Sequence, residues 1–120
     1  MRILIVDDST YIRSSLKTLL EQHGYNVVGE AKNGEMAIDL TMELKPDVIT
    51  LDNILPDMTG LDVLKTINTN DFDLYVIMIS AVGQQSAIVE AKENGAKHYL
   101  VKPFDNSELL SILKELDEET

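Results

Sequence analysis

Four short apolar runs in this chain end directly in a residue that can do chemistry. Ile3-Leu4-Ile5-Val6 leads into Asp7-Asp8, Val48-Ile49-Thr50-Leu51 into Asp52, Val76-Ile77-Met78-Ile79 into Ser80, and Leu100-Val101 into Lys102. Together they supply three carboxylates, a hydroxyl and an ammonium. Three carboxylates at one spot repel one another, and without a partner at least one is pushed toward its neutral form. A divalent cation removes that conflict, and oxygen donors with no His or Cys among them favour magnesium, which keeps waters and binds through one or two carboxylates plus a phosphate. With a dication and Lys102 present, the formal charge of the pocket is zero. Such a pocket accepts a dianionic phosphoryl group that bare acids would reject. An ionised carboxylate is then a competent nucleophile toward phosphorus. Asp52, at the end of the most central run, is the expected nucleophile. Ser80 is an expected hydrogen-bond donor to the phosphoryl group, and Lys102 an expected point charge on another of its oxygens.

These residues meet only if the runs that carry them lie side by side. Apolar runs at 2–6, 25–30, 47–51, 74–79 and 97–101 alternate with helical-period stretches, the pattern of an α/β fold with a parallel sheet covered by helices on both faces. The first, third and fourth runs are apolar without alternation and are expected to be the central strands. In such a sheet the ligand crevice lies outside the carboxyl ends of the strands, where all four polar endings would converge. The helical faces are Ile12, Leu16, Leu19 and Leu20, then Met36, Leu40 and Leu44, then Leu61, Leu64 and Ile67, then Leu109, Ile112, Leu113 and Leu116. Ser9, Asn33, Thr59 and Asn106 or Asp105 are expected N-caps, and Gly24 and Gly95 helix ends. The stretch 84–94 offers only Ala87, Ile88, Val89 and Ala91 to a core, so its helix is expected to be weakly anchored. Glu115, Asp117, Glu118 and Glu119 oppose the helix dipole at the end of the last helix and are expected to fray.

The chain has 120 residues, 21 Asp and Glu against 10 Lys and Arg, a net charge of -11 and no cysteine. That length suits one domain with its own core. The acid surplus argues against nucleic acid and anionic membrane as partners. Disulfides and thiolate chemistry are excluded, the apolar run after Met1-Arg2 is too short for a signal peptide, and no run approaches a membrane span. The cytoplasm is the expected compartment.

The residues Asp7-Asp8, the string Asp52-Asn53-Ile54-Leu55-Pro56-Asp57-Met58-Thr59-Gly60, the pair Ser80-Ala81, Tyr99 and Lys102-Pro103-Phe104 closely resemble the receiver domain of two-component response regulators. The resemblance spans essentially the whole chain, 1–120, as a single receiver domain. It implies a flavodoxin-like, doubly wound sheet with strand order 2-1-3-4-5. It also implies that Asp52 takes a phosphoryl group from a histidine kinase, that Asp8 ligates magnesium directly and Asp7 through water, and that the backbone carbonyl of Ile54 is a further ligand. Lys102-Pro103 is implied to be cis, and Ser80 and Tyr99 to form a switch pair. Ile54 and Val82 are apolar where some members carry Asn or an acid, so the rate of dephosphorylation is this chain's own. The run Ser80-Ala81-Val82-Gly83-Gln84-Gln85 resembles a subset of chemotaxis receivers.

The resulting expectation is a monomeric signalling switch that loads and unloads itself rather than a turnover enzyme. Its output runs to a protein effector through the face formed by 84–116, with a phosphatase as a further partner. A phosphorelay intermediate or an excised receiver of a larger regulator would share every site residue. From another class, an Asp-nucleophile phosphatase of the haloacid-dehalogenase type would need a second Asp two residues after the nucleophile, where this chain has Ile54. A flavodoxin would need a Ser/Thr-rich phosphate loop where this chain has Asp7-Asp8. The two histidines, His23 and His98, are expected to be structural.

Overall fold

The computed structural model describes residues 1–67 and 73–119. Strands and helices alternate along the chain: β1 (Arg2–Val6), α1 (Thr10–Gln22), β2 (Asn26–Ala31), α2 (Gly34–Leu44), β3 (Val48–Asp52), α3 (Gly60–Ile67), β4 (Tyr75–Ser80), α4 (Gln85–Glu93), β5 (Ala96–Val101) and α5 (Asn106–Glu119). Each strand lies within about one residue of its expected position. All four pairings are parallel and the strand order is β2-β1-β3-β4-β5. β1, β3 and β4 are the inner strands, as their unbroken apolar runs require, because both faces of each are covered.

The sheet separates two core layers. On one face Leu4, Val6, Ile49, Leu51, Val76 and Met78 pack against Ala37 of α2, Val63, Leu64 and Ile67 of α3, and Ala91 of α4. On the other, Ile3, Ile5, Val48, Ile77, Ile79 and Leu100 pack against Leu16 and Leu20 of α1 and Leu109, Leu113 and Leu116 of α5. The expected faces of α1, α3 and α5 hold.

α2 is turned from its expected face. Ala37 and Thr41 are buried, while Met36 is exposed and Leu40 only half-buried. Small side chains let the helix axis approach the sheet, and Thr41 keeps its buried hydroxyl satisfied by donating to the Ala37 carbonyl at 2.7 Å. α4 is as weakly anchored as its composition implies: Ala91 is its one buried residue, and Gln84 precedes it without a side-chain cap.

The caps follow local sequence. Ser9 Oγ accepts from the Ile12 N–H and Asn33 Oδ1 from the Met36 N–H. Thr59 and Asp62 form a reciprocal capping box at 3.1 and 3.2 Å. α5 opens at Asn106, which puts Asp105 in the cap position with Glu108 reaching back to its N–H. Gly24 and Gly95 follow α1 and α4 with φ of 85° and 110°, the left-handed turn that ends a helix.

The acidic end of α5 does not fray, contrary to its sequence. Helix continues to Glu119, with Leu116 fully buried, Lys97 of β5 at 3.8 Å from Glu119 and His98 at 4.0 Å from Glu115. Burial of Leu116 and the ion pair to Lys97, on an edge strand 22 residues away in sequence, offset the unfavourable dipole term, about 0.3–1 kcal/mol per charge.

Candidate functional site

The parallel register brings the strand ends together. Val6 pairs with Leu51, Asp52 with Ile79 and Ser80 with Val101, so the residues that follow or close these strands share one rim of the sheet. The backbone extends each pairing by one step: Asp7 N–H donates to Ala31 O at 3.0 Å, Asn53 N–H to Ile79 O at 3.1 Å, and Lys102 N–H to Ser80 O at 2.8 Å.

Asp7, Asp8 and Asp52 gather there with one carboxylate oxygen from each lying within 4.8 Å of the others. Asp7 and Asp52 are buried and Asp8 is exposed. The Lys102 ammonium stands 3.5 Å from Asp7 Oδ2 and 3.5 Å from Asp52 Oδ1, a bridge between two acids rather than a partner to either. The Asp7 side chain is fixed further by the Ser9 N–H at 2.9 Å, and Asp52 Oδ1 accepts from the Ile54 N–H at 3.4 Å. Burial, and then the charge of Asp7, push the Asp52 carboxyl above its ordinary value, against the opposing pull of Lys102 and the Ile54 N–H. With three carboxylates gathered around the Lys102 ammonium, the pocket is still short of positive charge. All of its donors are carboxylate oxygens, without imidazole or thiolate, which suits a hard divalent cation.

The loop after Asp52 is bound tightly to its own start. Gly60 N–H donates to Asn53 O at 2.7 Å, the Leu61 N–H to Asn53 Oδ1 at 3.2 Å, and Ile54 and Thr59 form an isolated bridge. A Cβ at position 60 would stand 2.5 Å from Asp52 O. Glycine is required there for the backbone to close on the Asp52 carbonyl.

Ser80 is buried at the end of β4, its Oγ accepting from the Val82 N–H at 3.0 Å. Tyr99 sits apart from the acids and donates its hydroxyl to Val82 O at 2.6 Å. The two expected switch residues thus hold opposite sides of one residue, Val82. The Tyr99 ring lines a cavity of about 100 Å³ with Met78, Ala87, Glu90 and Ala91, beneath α4. Lys102-Pro103 is cis. Ile54 exposes its side chain at the rim.

Two residues brace the site from outside the acidic cluster. Asp57 accepts from the N–H groups of Gly34 and Glu35 at 2.7 and 2.9 Å, tying the loop after β3 to the start of α2. Arg13 donates to the Asp7 carbonyl at 2.6 Å. Neither has a local signal, since a contact across 23 residues or to a main-chain oxygen leaves no spacing to read.

A doubly wound sheet with three acids and a lysine at its carboxyl edge defines a class, and comparison with known proteins agrees with it. The response regulator receiver domain matches residues 3–114, and the chain belongs to that family. Chemotaxis protein CheY of Thermotoga maritima is 43% identical over 115 residues, covering 96% of both chains. CheY of Bacillus subtilis is 42% identical over 112 residues, covering 93% of both. Among solved structures, a chain of the CheX-CheY-BeF3-Mg complex from Borrelia burgdorferi superposes with a TM-score of 0.91 at 32% identity, covering 97% of this chain and 88% of that one. Among the described residues, no helix is long and apolar enough to cross a membrane.

Proposed function

We propose that this receiver is a phosphorylation switch in which Asp52 accepts a phosphoryl group from a histidine kinase, in a magnesium-dependent reaction. The observation that carries the reading is the convergence of Asp7, Asp8 and Asp52 within 4.8 Å under a lysine that bridges two of them. An oxygen of Asp52 attacks phosphorus, the P–N bond to the donor imidazole breaks, and the imidazole leaves with its electron pair. Lys102 shifts from bridging two acids to holding a phosphoryl oxygen, and Ser80 donates its hydroxyl proton to another. Asp8 and Asp52 would hold magnesium directly, Asp7 through water and Ile54 through its carbonyl. When bound, the ion neutralises charge on the phosphoryl oxygens and so lowers the cost of bringing a dianion to a carboxylate.

The output runs through Val82. Drawing Ser80 toward the phosphoryl group takes its Oγ from the Val82 N–H, and the other side of Val82 holds Tyr99. α4, anchored by one alanine above a cavity, is the helix with the fewest buried residues among those described. Phosphorylation then biases two arrangements of α4, β5 and α5, and an effector reads the difference through this face. The chain loads and hydrolyses its own phosphoryl group without turning over a substrate, works in the cytoplasm as a monomer, and has a phosphatase among its partners. The CheY relatives favour chemotaxis as its setting.

Intact mass after incubation with acetyl phosphate tests the reading. A gain of one phosphoryl group is expected with magnesium and not after chelation, and none in Asp52→Asn. Equal labelling of Asp52→Asn, or labelling indifferent to magnesium, would overturn it. Sustained release of phosphate from a phosphate ester would favour the phosphatase class instead.

A further inference from the structure

Arg13 is one of ten cations in an acidic chain, and its side chain is 14% exposed. It binds three elements at once. Nη1 donates to the Asp7 carbonyl at 2.6 Å, Nη2 to Thr10 Oγ1 at 3.3 Å, and Nε lies 3.4 Å from Glu30 Oε1. The end of β1, the first turn of α1 and strand β2 are thereby joined by one planar fork.

The carbonyl that Arg13 holds belongs to the peptide linking Asp7 to Asp8. The N–H of Asp7 is already fixed by Ala31 O at 3.0 Å, the last bond of the β1–β2 ladder. Arg13 takes over where strand pairing stops, and it sets the plane from which Asp8 leaves the strand. The Asp7 carboxylate has its own holds in Ser9 and Lys102. Asp8 is exposed, so the direction of its carboxylate depends on that peptide plane.

A guanidinium beside an acidic pocket would also repel the cation that the pocket attracts. Glu30 answers this. Its carboxylate beside Nε turns the isolated charge into a close ion pair, whose field falls off faster with distance than that of a single charge.

We propose that Arg13 is a positioning residue that aims Asp8 at the metal, and that Glu30 is the counter-ion that lets a cation do this without weakening metal binding. The inference rests on the magnesium reading of the pocket. Calorimetric titration of the full chain with magnesium chloride, at about 0.1 M and about 1 M KCl where the Debye length falls from about 10 to about 3 Å, tests it. Arg13→Met, which keeps the apolar stem, is expected to weaken magnesium binding roughly tenfold at both salt concentrations, the lower end of what outer partners of metal ligands contribute. Glu30→Gln is expected to weaken it about threefold at low salt and to recover at high salt, because its effect is a screened charge. The double variant should bind no more weakly than Arg13→Met alone. Urea unfolding without metal measures any purely structural role separately. Unchanged magnesium affinity in Arg13→Met, with or without lower metal-free stability, overturns the proposal, as does a Glu30→Gln deficit indifferent to salt. If Arg13→Met does not fold, Arg13→Lys carries the same test, since it keeps the charge and loses the fork, and a several-fold loss is expected at both salt concentrations. Absence of magnesium binding by the unaltered chain would instead overturn the metal reading, and this inference with it.

Discussion

Thr50 stands two residues before Asp52 on β3, so both side chains leave the strand on the same side. It is 1% exposed, and its hydroxyl has no hydrogen-bond partner. A buried hydroxyl without a partner costs roughly 1–3 kcal/mol. Thr50→Val keeps the branched shape and removes the cost, so it should raise the urea midpoint by the equivalent of about 1 kcal/mol without changing the slope. A lower midpoint would mean that the hydroxyl is satisfied in solution. Asp52 has the opposite problem, for the attack on phosphorus proposed for it needs the charge that burial and Asp7 oppose. The two residues show why an apolar strand ending in an acid reveals a site while a Thr within the run does not: the acid interrupts the pattern, and the Thr passes as β-branched filler.

α2 begins on a cap that it does not encode. Beside its own Asn33, it receives both oxygens of Asp57 on its first two N–H groups, 23 and 22 residues away. These bonds, the one from Gly34 first, hold the Asp57 carboxyl below its ordinary value. A depressed acid stabilises the fold fully above its unfolded-state pKa of about 3.9 and loses that contribution as pH falls through the lower folded-state value. Asp57→Asn is therefore expected to be less stable than the unaltered chain at neutral pH, with the gap closing below about pH 4. Thermal scans across that range check it, and a gap independent of pH would show that the charge contributes nothing. Within elements, the sequence carries what local rules can carry. Ser9, Asn33 and Thr59 cap as their positions suggest, and the three unbroken apolar runs are the inner strands. It could not carry the support given to α5 by Lys97, nor the turning of α2 onto Ala37 and Thr41, because both depend on which elements become neighbours. Strand order came from family resemblance, since periodicity alone does not order strands.

The folded chain has a Cα radius of gyration of 12.8 Å and a net charge of -11, so like charges are crowded into a small volume and three of them into one pocket. A cation that binds only the folded form adds stability by mass action, about 2.7 kcal/mol at a hundred times its dissociation constant. For a domain of this size that corresponds to a rise of about 10 °C in the melting midpoint. Magnesium is expected to produce this rise and Asp8→Asn to abolish most of it, whereas potassium chloride of equal ionic strength should give only the smaller general effect of screening. Calorimetry with the three samples separates them.

The register that joins Val6 to Leu51, Asp52 to Ile79 and Ser80 to Val101 has a consequence for signal fidelity. The acidic pocket is assembled from positions 7 to 102, and no fragment or half-formed sheet contains it. On the proposed function, a misfolded copy could not be charged, so the phosphorylated pool would count only intact molecules, and quality control would be built into the message itself.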